Sequence, residues 1–179
     1  MVFLLALGLA AFAGCGYLRA QTTLPHGTRI DRLLVDKSEG RMWAYDGDQE
    51  VAVYRVAVGR GGLGPKRWEG DGRTPEGTYR IDERHRSENF HRFLHVSYPA
   101  AADRRRYRAL RAQDEVPREG GRPVGIGGAI GIHGTGDGFF RRTFGRSLNR
   151  TLGCIMVSNA EAIQLYTAVV PGASIEIRE

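Results

Sequence analysis

Two residues near the C-terminal end carry the side chains from which covalent chemistry is most readily built. Cys154 follows Thr151-Leu152-Gly153, and His133 opens His133-Gly134-Thr135 upstream of it. A thiol attacks a carbonyl carbon as the thiolate, and an imidazole within hydrogen-bond reach can take the proton. A glycine just before the nucleophile lets backbone approach a substrate and can leave N–H groups free for an oxyanion. The other cysteine is Cys15. If Cys15 is removed or lipidated, Cys154 has no disulfide partner, and an exported protein that keeps one thiol unpaired usually keeps it for reactivity. Residue types alone leave a second reading open, a buried structural cysteine.

Other chemistries find less support. Gly59-Arg60-Gly61-Gly62-Leu63-Gly64 matches the dinucleotide fingerprint, but Pro65, Gly70, Gly72 and Pro75 follow where a phosphate-binding helix must begin. The stretch reads as a flexible loop. His85, His91 and His95 offer too few convergent ligands for zinc, so no metal and no organic cofactor is expected. The net charge of +6 suits anionic partners such as wall polymer. Its arginines are scattered without aromatics spaced for base stacking, and Lys37 and Lys66 are the only lysines, so nucleic acid is not expected.

The 179 residues, 41% hydrophobic and 26% charged, suffice for one core. Residues 1–18 lack charge and run apolar from Val2 to Ala13, which reads as a signal peptide, since a spanning helix needs about 20 apolar residues. Phe12-Ala13-Gly14-Cys15 resembles a lipobox and makes Cys15 a candidate for lipidation. Residues 19–28 read as a tether, and the domain is expected over 29–179.

Within it, Arg29 to Asp36, Arg41 to Tyr45, Val51 to Val58, Gly77 to Asp82 and Phe93 to Tyr98 carry strand signals. Ala100 to Glu115 reads as an exposed helix, and Gly127 to His133 as a glycine-rich strand. Ser158-Asn159-Ala160-Glu161 has capping-box spacing and opens a helix with Ile163, Tyr166 and Val170 on one face. Pro171-Gly172 should stop it, and Ala173 to Ile177 should be a last strand. The expected class is mainly β with a few helices.

Together these segments resemble the L,D-transpeptidase (YkuD-type) catalytic domain. The resemblance rests on the His133-Gly134 pair followed by Thr151-Leu152-Gly153-Cys154, on the opening hairpin from Arg29 to Gly59, and on Thr74-Pro75-Glu76-Gly77-Thr78-Tyr79. Ser158 to Tyr166 is similar to the helix after the family's nucleophile, and Leu94-His95-Val96-Ser97-Tyr98-Pro99 to a branch from Gram-negative envelopes. The resemblance implies a β-sandwich or barrel, with Cys154 as nucleophile and His133 as base, the histidine oriented by a backbone carbonyl. Thr151 and Gly153 would shape the cysteine loop, with oxyanion donors among the backbone N–H groups of Gly153 and Cys154. Gly134 and Thr135 would touch substrate.

The implied reaction opens a tetrapeptide stem of peptidoglycan, releases D-alanine and passes the acyl group to an amine, in the periplasm or envelope. Alternatives sharing the resemblance are a hydrolase with the same site and a non-catalytic wall-binding lipoprotein. A catalytic thiol implies reactivity below the ordinary thiol pKa. Leu152 stands where many members have histidine and Met156 where many have arginine. Arg141, Arg142, Arg146 and Arg150 are candidates to replace that arginine. Oligomeric state is not readable.

Overall fold

The computed structural model describes residues 23–136 and 151–179. The leader, Cys15, and Arg141, Arg142, Arg146 and Arg150 lie outside the described residues.

The chain opens with a meander. β1 (Ile30–Asp36), β2 (Arg41–Asp46) and β3 (Gln49–Arg55) pair antiparallel in sequence order. Their turns follow from local chemistry. Asp36 Oδ1 accepts from Ser38 Oγ (2.8 Å) and the Glu39 N–H (2.9 Å), and Gly47 takes the positive φ of 58° that the β2–β3 turn demands. β4 (Gly77–Ser87) and β5 (His91–Val96) form a longer hairpin than the sequence suggests. In the helix α1 (Ala101–Ala112) Arg106, Tyr107 and Leu110 are half-buried and Asp103 alone is buried, its carboxylate accepting from the Tyr79 hydroxyl (3.1 Å) and the Ala100 N–H (2.9 Å).

A short hairpin of β6 (Arg118–Glu119) and β7 (Arg122–Pro123), turning at Gly120-Gly121, is absent from the sequence reading. The signal was there in the glycine pair, both at positive φ. β8 (Gly131–His133) is shorter than the expected strand, β9 (Ile155–Met156) follows, and α2 (Asn159–Ala168) leads into β10 (Val169–Arg178).

Among the described residues eight strands form one sheet in the order β3-β2-β1-β10-β4-β5-β8-β9. The sheet curls, and its two ends are sewn together. Ala57 and Met156 exchange N–H···O bonds (2.9 and 2.8 Å), and Thr151 donates to Val58 O (3.1 Å), so the tail of β3 meets the start of β9. The expected mainly β fold with few helices is what is observed, as a curled half-barrel. Leu33, Val35, Leu94, Ile132, Ile155, Ile175 and Ile177 fill its core. Leu24 also packs against that core, and the chain turns at Pro25 to Thr28 before β1.

Two expectations are corrected. Pro171-Gly172 does not separate helix from strand, because β10 already begins at Val169 and pairs parallel with β1. The interruption is absorbed by a register shift between Ile30 and Arg32 and by Gly172 at φ 79°. In α2 the buried residues are Ala162, Leu165 and Ala168, whereas Ile163 is exposed. Two alanines on the packed face let the helix approach the sheet closely. The capping box itself forms as read, with Glu161 N–H on Ser158 Oγ (3.3 Å) and Ser158 N–H on Glu161 Oε2 (2.8 Å).

Candidate active site

β8 lies between β5 and β9, so His133, at the end of β8, stands in the sheet beside the strand that follows Cys154. Across the parallel β8–β9 pair Ile132 faces Ile155 and His133 faces Met156. Side chains alternate along strands, so Ile132 and Ile155 enter the core while His133 and Met156 point to the other face, and Cys154 immediately precedes β9.

His133 is 5% exposed. Its Nδ1–H donates to the Gly134 carbonyl oxygen (2.7 Å). A carbonyl only accepts, so the proton sits on Nδ1 and Nε2 is the basic nitrogen. The ring is held between Phe90 (centroids 4.3 Å apart) and Phe93 (6.1 Å, interplanar angle 6°). Gly131 makes room for Phe93, because a Cβ there would run into its ring and the Leu94 carbonyl.

The cysteine loop is shaped by one hydroxyl. Thr151 Oγ1 donates to the Cys154 carbonyl (2.6 Å) and accepts from the Gly153 N–H (3.1 Å). Gly153 adopts φ 138°, and a Cβ would lie 2.9 Å from the Arg73 carbonyl oxygen. The Gly153 N–H is therefore spent on Thr151, which corrects its expected role as oxyanion donor. The Cys154 N–H has no hydrogen-bond partner among the described residues.

Cys154 is half-buried, and its Sγ–H donates to the Ala129 carbonyl (3.5 Å). Burial pushes the thiol above its ordinary pKa of 9.0, against the opposing pull of the Gly131 N–H and the Lys66 ammonium. The expectation of a lowered thiol pKa is thus reversed for the resting protein.

Gly134 and Thr135, expected to meet substrate, face the protein instead. A Cβ on Gly134 would strike Asn159 Oδ1, and the Thr135 hydroxyl, 6% exposed as a residue, donates to the same oxygen (3.3 Å). Asn159, at the first turn of α2, also accepts from the Gly136 N–H (3.1 Å) and donates to its carbonyl (3.0 Å). Sequence reading placed Asn159 in a capping box and missed this clamp, because the partner loop is distant in sequence.

A domain model for the YkuD family, the L,D-transpeptidase catalytic domain, matches residues 30–177. The chain belongs to this family. Among solved structures it is similar to an L,D-transpeptidase from Xylanimonas cellulosilytica, with 13% identity and a TM-score of 0.51 over 86% of this chain and 63% of that one. It is also similar to Bd1075 of Bdellovibrio bacteriovorus, with 20% identity and a TM-score of 0.54 over 84% of this chain and 48% of that one. A third, the helical cell shape determining protein Pgp2 of Campylobacter jejuni, shows 20% identity and a TM-score of 0.54 over 86% and 49%. At such identities the likeness is one of fold, and the chain spans less than two thirds of each. No curated protein sequence matches it.

Against the family pattern, Met156 is 7% exposed and its backbone closes the half-barrel on Ala57. Among the described residues, Lys66 on the loop after β3 is the cation that acts on the Cys154 thiol. That loop, read as flexible from its glycines, is densely bonded. Lys37 Nζ reaches from beyond β1 to the carbonyls of Gly64 (2.8 Å) and Thr74 (3.3 Å) and to Glu76 (2.6 Å). Asp71 accepts from Lys66 Nζ (2.7 Å) and the N–H groups of Arg67 (2.7 Å) and Arg73 (3.0 Å). Both lysines are buried to 4% exposure. A lysine in a chain that otherwise uses arginine was the available signal: a compact ammonium fits where a guanidinium does not. His85, His91 and His95 take local roles; His85 stacks on Phe93 and His95 pairs with Asp82 (2.7 Å).

Proposed function

We propose that this protein is a cysteine-dependent L,D-transpeptidase acting on tetrapeptide stems of peptidoglycan, exported and secreted or anchored in the envelope through Cys15. His133 Nε2 takes the Cys154 proton as Sγ attacks the carbonyl of the third stem residue. The oxyanion draws on the Cys154 N–H, the uncommitted donor beside the sulfur. Collapse breaks the C–N bond, and His133 returns its proton to the departing D-alanine nitrogen, leaving a thioester on Cys154. An acceptor amine then attacks the thioester, giving its proton to His133 as the C–S bond breaks and the thiol is restored.

The reading is supported by the place of Cys154 immediately before β9, the strand that pairs parallel with β8 and so runs beside His133, and by the histidine tautomer set by the Gly134 carbonyl. Incubation with a tetrapeptide stem and an amine acceptor, read by mass spectrometry, tests it. Wild-type protein should release D-alanine, form a thioester adduct on Cys154 and yield the crosslinked product, and Cys154→Ala should do none of these. Full activity in that variant would end the proposal. Free acid alone, with amine present, would make water the acceptor and the protein a hydrolase. No adduct and no product would leave a wall-binding domain.

A further inference from the structure

His91, where β5 begins, has a backbone conformation uncommon for any residue with a side chain. Its φ is 66°, and the Arg92 N–H donates back across it to the Phe90 carbonyl (2.8 Å), a bond that spans a single residue. That is a γ-turn in its positive-φ form, which is rare and strained. Glycine would adopt it freely, yet the chain places an imidazole there. Strain of this kind persists only where the surroundings over-determine it, and it gathers at working sites.

The turn is held from several sides. Arg92 Nη1 donates to the His91 carbonyl (2.9 Å) and lies 3.1 Å from His91 Nδ1, and the Phe90 N–H donates to Ser87 Oγ (3.2 Å). Gly136 leaves the space that the Asn89 carbonyl fills, since a Cβ there would run into it. The Arg92 guanidinium in turn lies over the Tyr166 ring of α2, 5.4 Å from its centroid.

What this turn grips is His133. It aims the carbonyls of Phe90 and Arg92 at one donor, the Gly134 N–H (3.1 and 3.4 Å), and Gly134 is the residue whose own carbonyl takes the His133 Nδ1 proton (2.7 Å). On an extended strand, carbonyls two residues apart stand roughly 6.5–7 Å from each other, too far to share one N–H. The same fold-back sets the Phe90 ring against the imidazole, with 4.3 Å between centroids. We infer that Phe90 and His91 are positioning residues for the catalytic base: the strained turn at His91 fixes Gly134 and the Phe90 ring, and through them the direction in which His133 Nε2 points. This rests on the reading of His133 as the base and adds what aims it.

The test compares wild-type protein with His91→Gly, His91→Val and Phe90→Leu, each checked by thermal unfolding. Both His91 variants lose the imidazole, but only glycine accepts a positive φ, because a β-branched residue is a steric outlier there. His91→Val should lower kcat for D-alanine release about tenfold with KM within about twofold, and His91→Gly should recover most of that loss. Phe90→Leu, which keeps the turn and removes the ring, should also lower kcat about tenfold at nearly constant KM, and it carries the test if His91→Val does not fold. The His133 Nδ1–H resonance, assigned by its absence in His133→Gln, needs no turnover. It should persist in wild type and His91→Gly and shift or broaden in the other two. His91→Gly as slow as His91→Val would make the imidazole, not the turn, the active element and overturn the inference. Folded variants with wild-type kcat, losses confined to KM, or an unmoved resonance would overturn it equally, and all of these leave the transpeptidase reading standing because the wild type still turns over. A wild type that releases no D-alanine sinks that reading instead, and the resonance alone then decides whether the turn holds the ring.

Discussion

The Cys154 thiol stands 3.5 Å from the Ala129 carbonyl oxygen and donates its proton there. Ala129 occupies a positive φ of 52°, at the entry to β8. The resting sulfur is thus tied as a thiol to the strand that carries His133, and burial reinforces the protonated form against the Gly131 N–H and Lys66. In the proposed mechanism, proton transfer to His133 belongs to the encounter with substrate.

That arrangement predicts the pH dependence of alkylation in the free protein. A raised pKa means that thiolate appears only as pH climbs past the ordinary value of 9.0. The rate of iodoacetamide modification of Cys154, followed by intact mass, should therefore rise with a midpoint above that value. A midpoint well below neutrality would mean a thiolate already paired with imidazolium at rest.

The Thr151 hydroxyl supports the Cys154 loop from both sides, through the Cys154 carbonyl and the Gly153 N–H. Thr151→Val keeps the shape and removes both bonds, at a cost of about 1–3 kcal/mol. D-alanine release should fall by more than the loss of folded protein explains, because the Gly153 N–H is then free to swing. Thr151→Ser should restore both stability and rate. Urea unfolding alongside turnover separates the two effects.

Asp71 offers a linkage test. Burial alone would raise its pKa, but the N–H groups of Arg67 and Arg73 and the Lys66 ammonium outweigh it and hold the carboxyl below 3.8. A depressed folded-state pKa contributes stability above the unfolded value, and the contribution is lost as pH falls through the folded one. Asp71→Asn strands a buried ammonium, which typically costs about 3–5 kcal/mol. The gap between wild type and variant should be flat from about pH 5 to 8 and narrow only in strong acid. Thermal unfolding across pH reads it, and a gap that closes near neutrality would show that the pair is not the source.

Features that depend on near neighbours in the chain could be read from residues alone. The capping box at Ser158 and Glu161 forms within one turn, and the glycines at the β1–β2 and β2–β3 turns answer a local demand for positive φ. The histidine-glycine step and the threonine-x-glycine-cysteine step carried the resemblance to the family whose model matches residues 30–177. Pro171-Gly172 misled because a strand tolerates that dipeptide only if its partner shifts register, and the partner, β1, lies at the other end of the chain. The helix reading ran too far because Val170 fits a face with Ile163 and Tyr166, whereas the chain leaves α2 at Ala168 to pair with β1.

By itself, then, the sequence determined the chemical identity of the groups, the local turns and caps, and the mainly β character of the chain. Tertiary structure decided that β8 and β9 run parallel with His133 opposite Met156, that the Gly153 N–H is spent on Thr151, and that Lys66 is buried against Asp71. The division has a physical cause. Propensity and capping energies act over a few residues, whereas strand register and charge pairing are set by contacts between segments far apart in the chain, which only the closed half-barrel brings together.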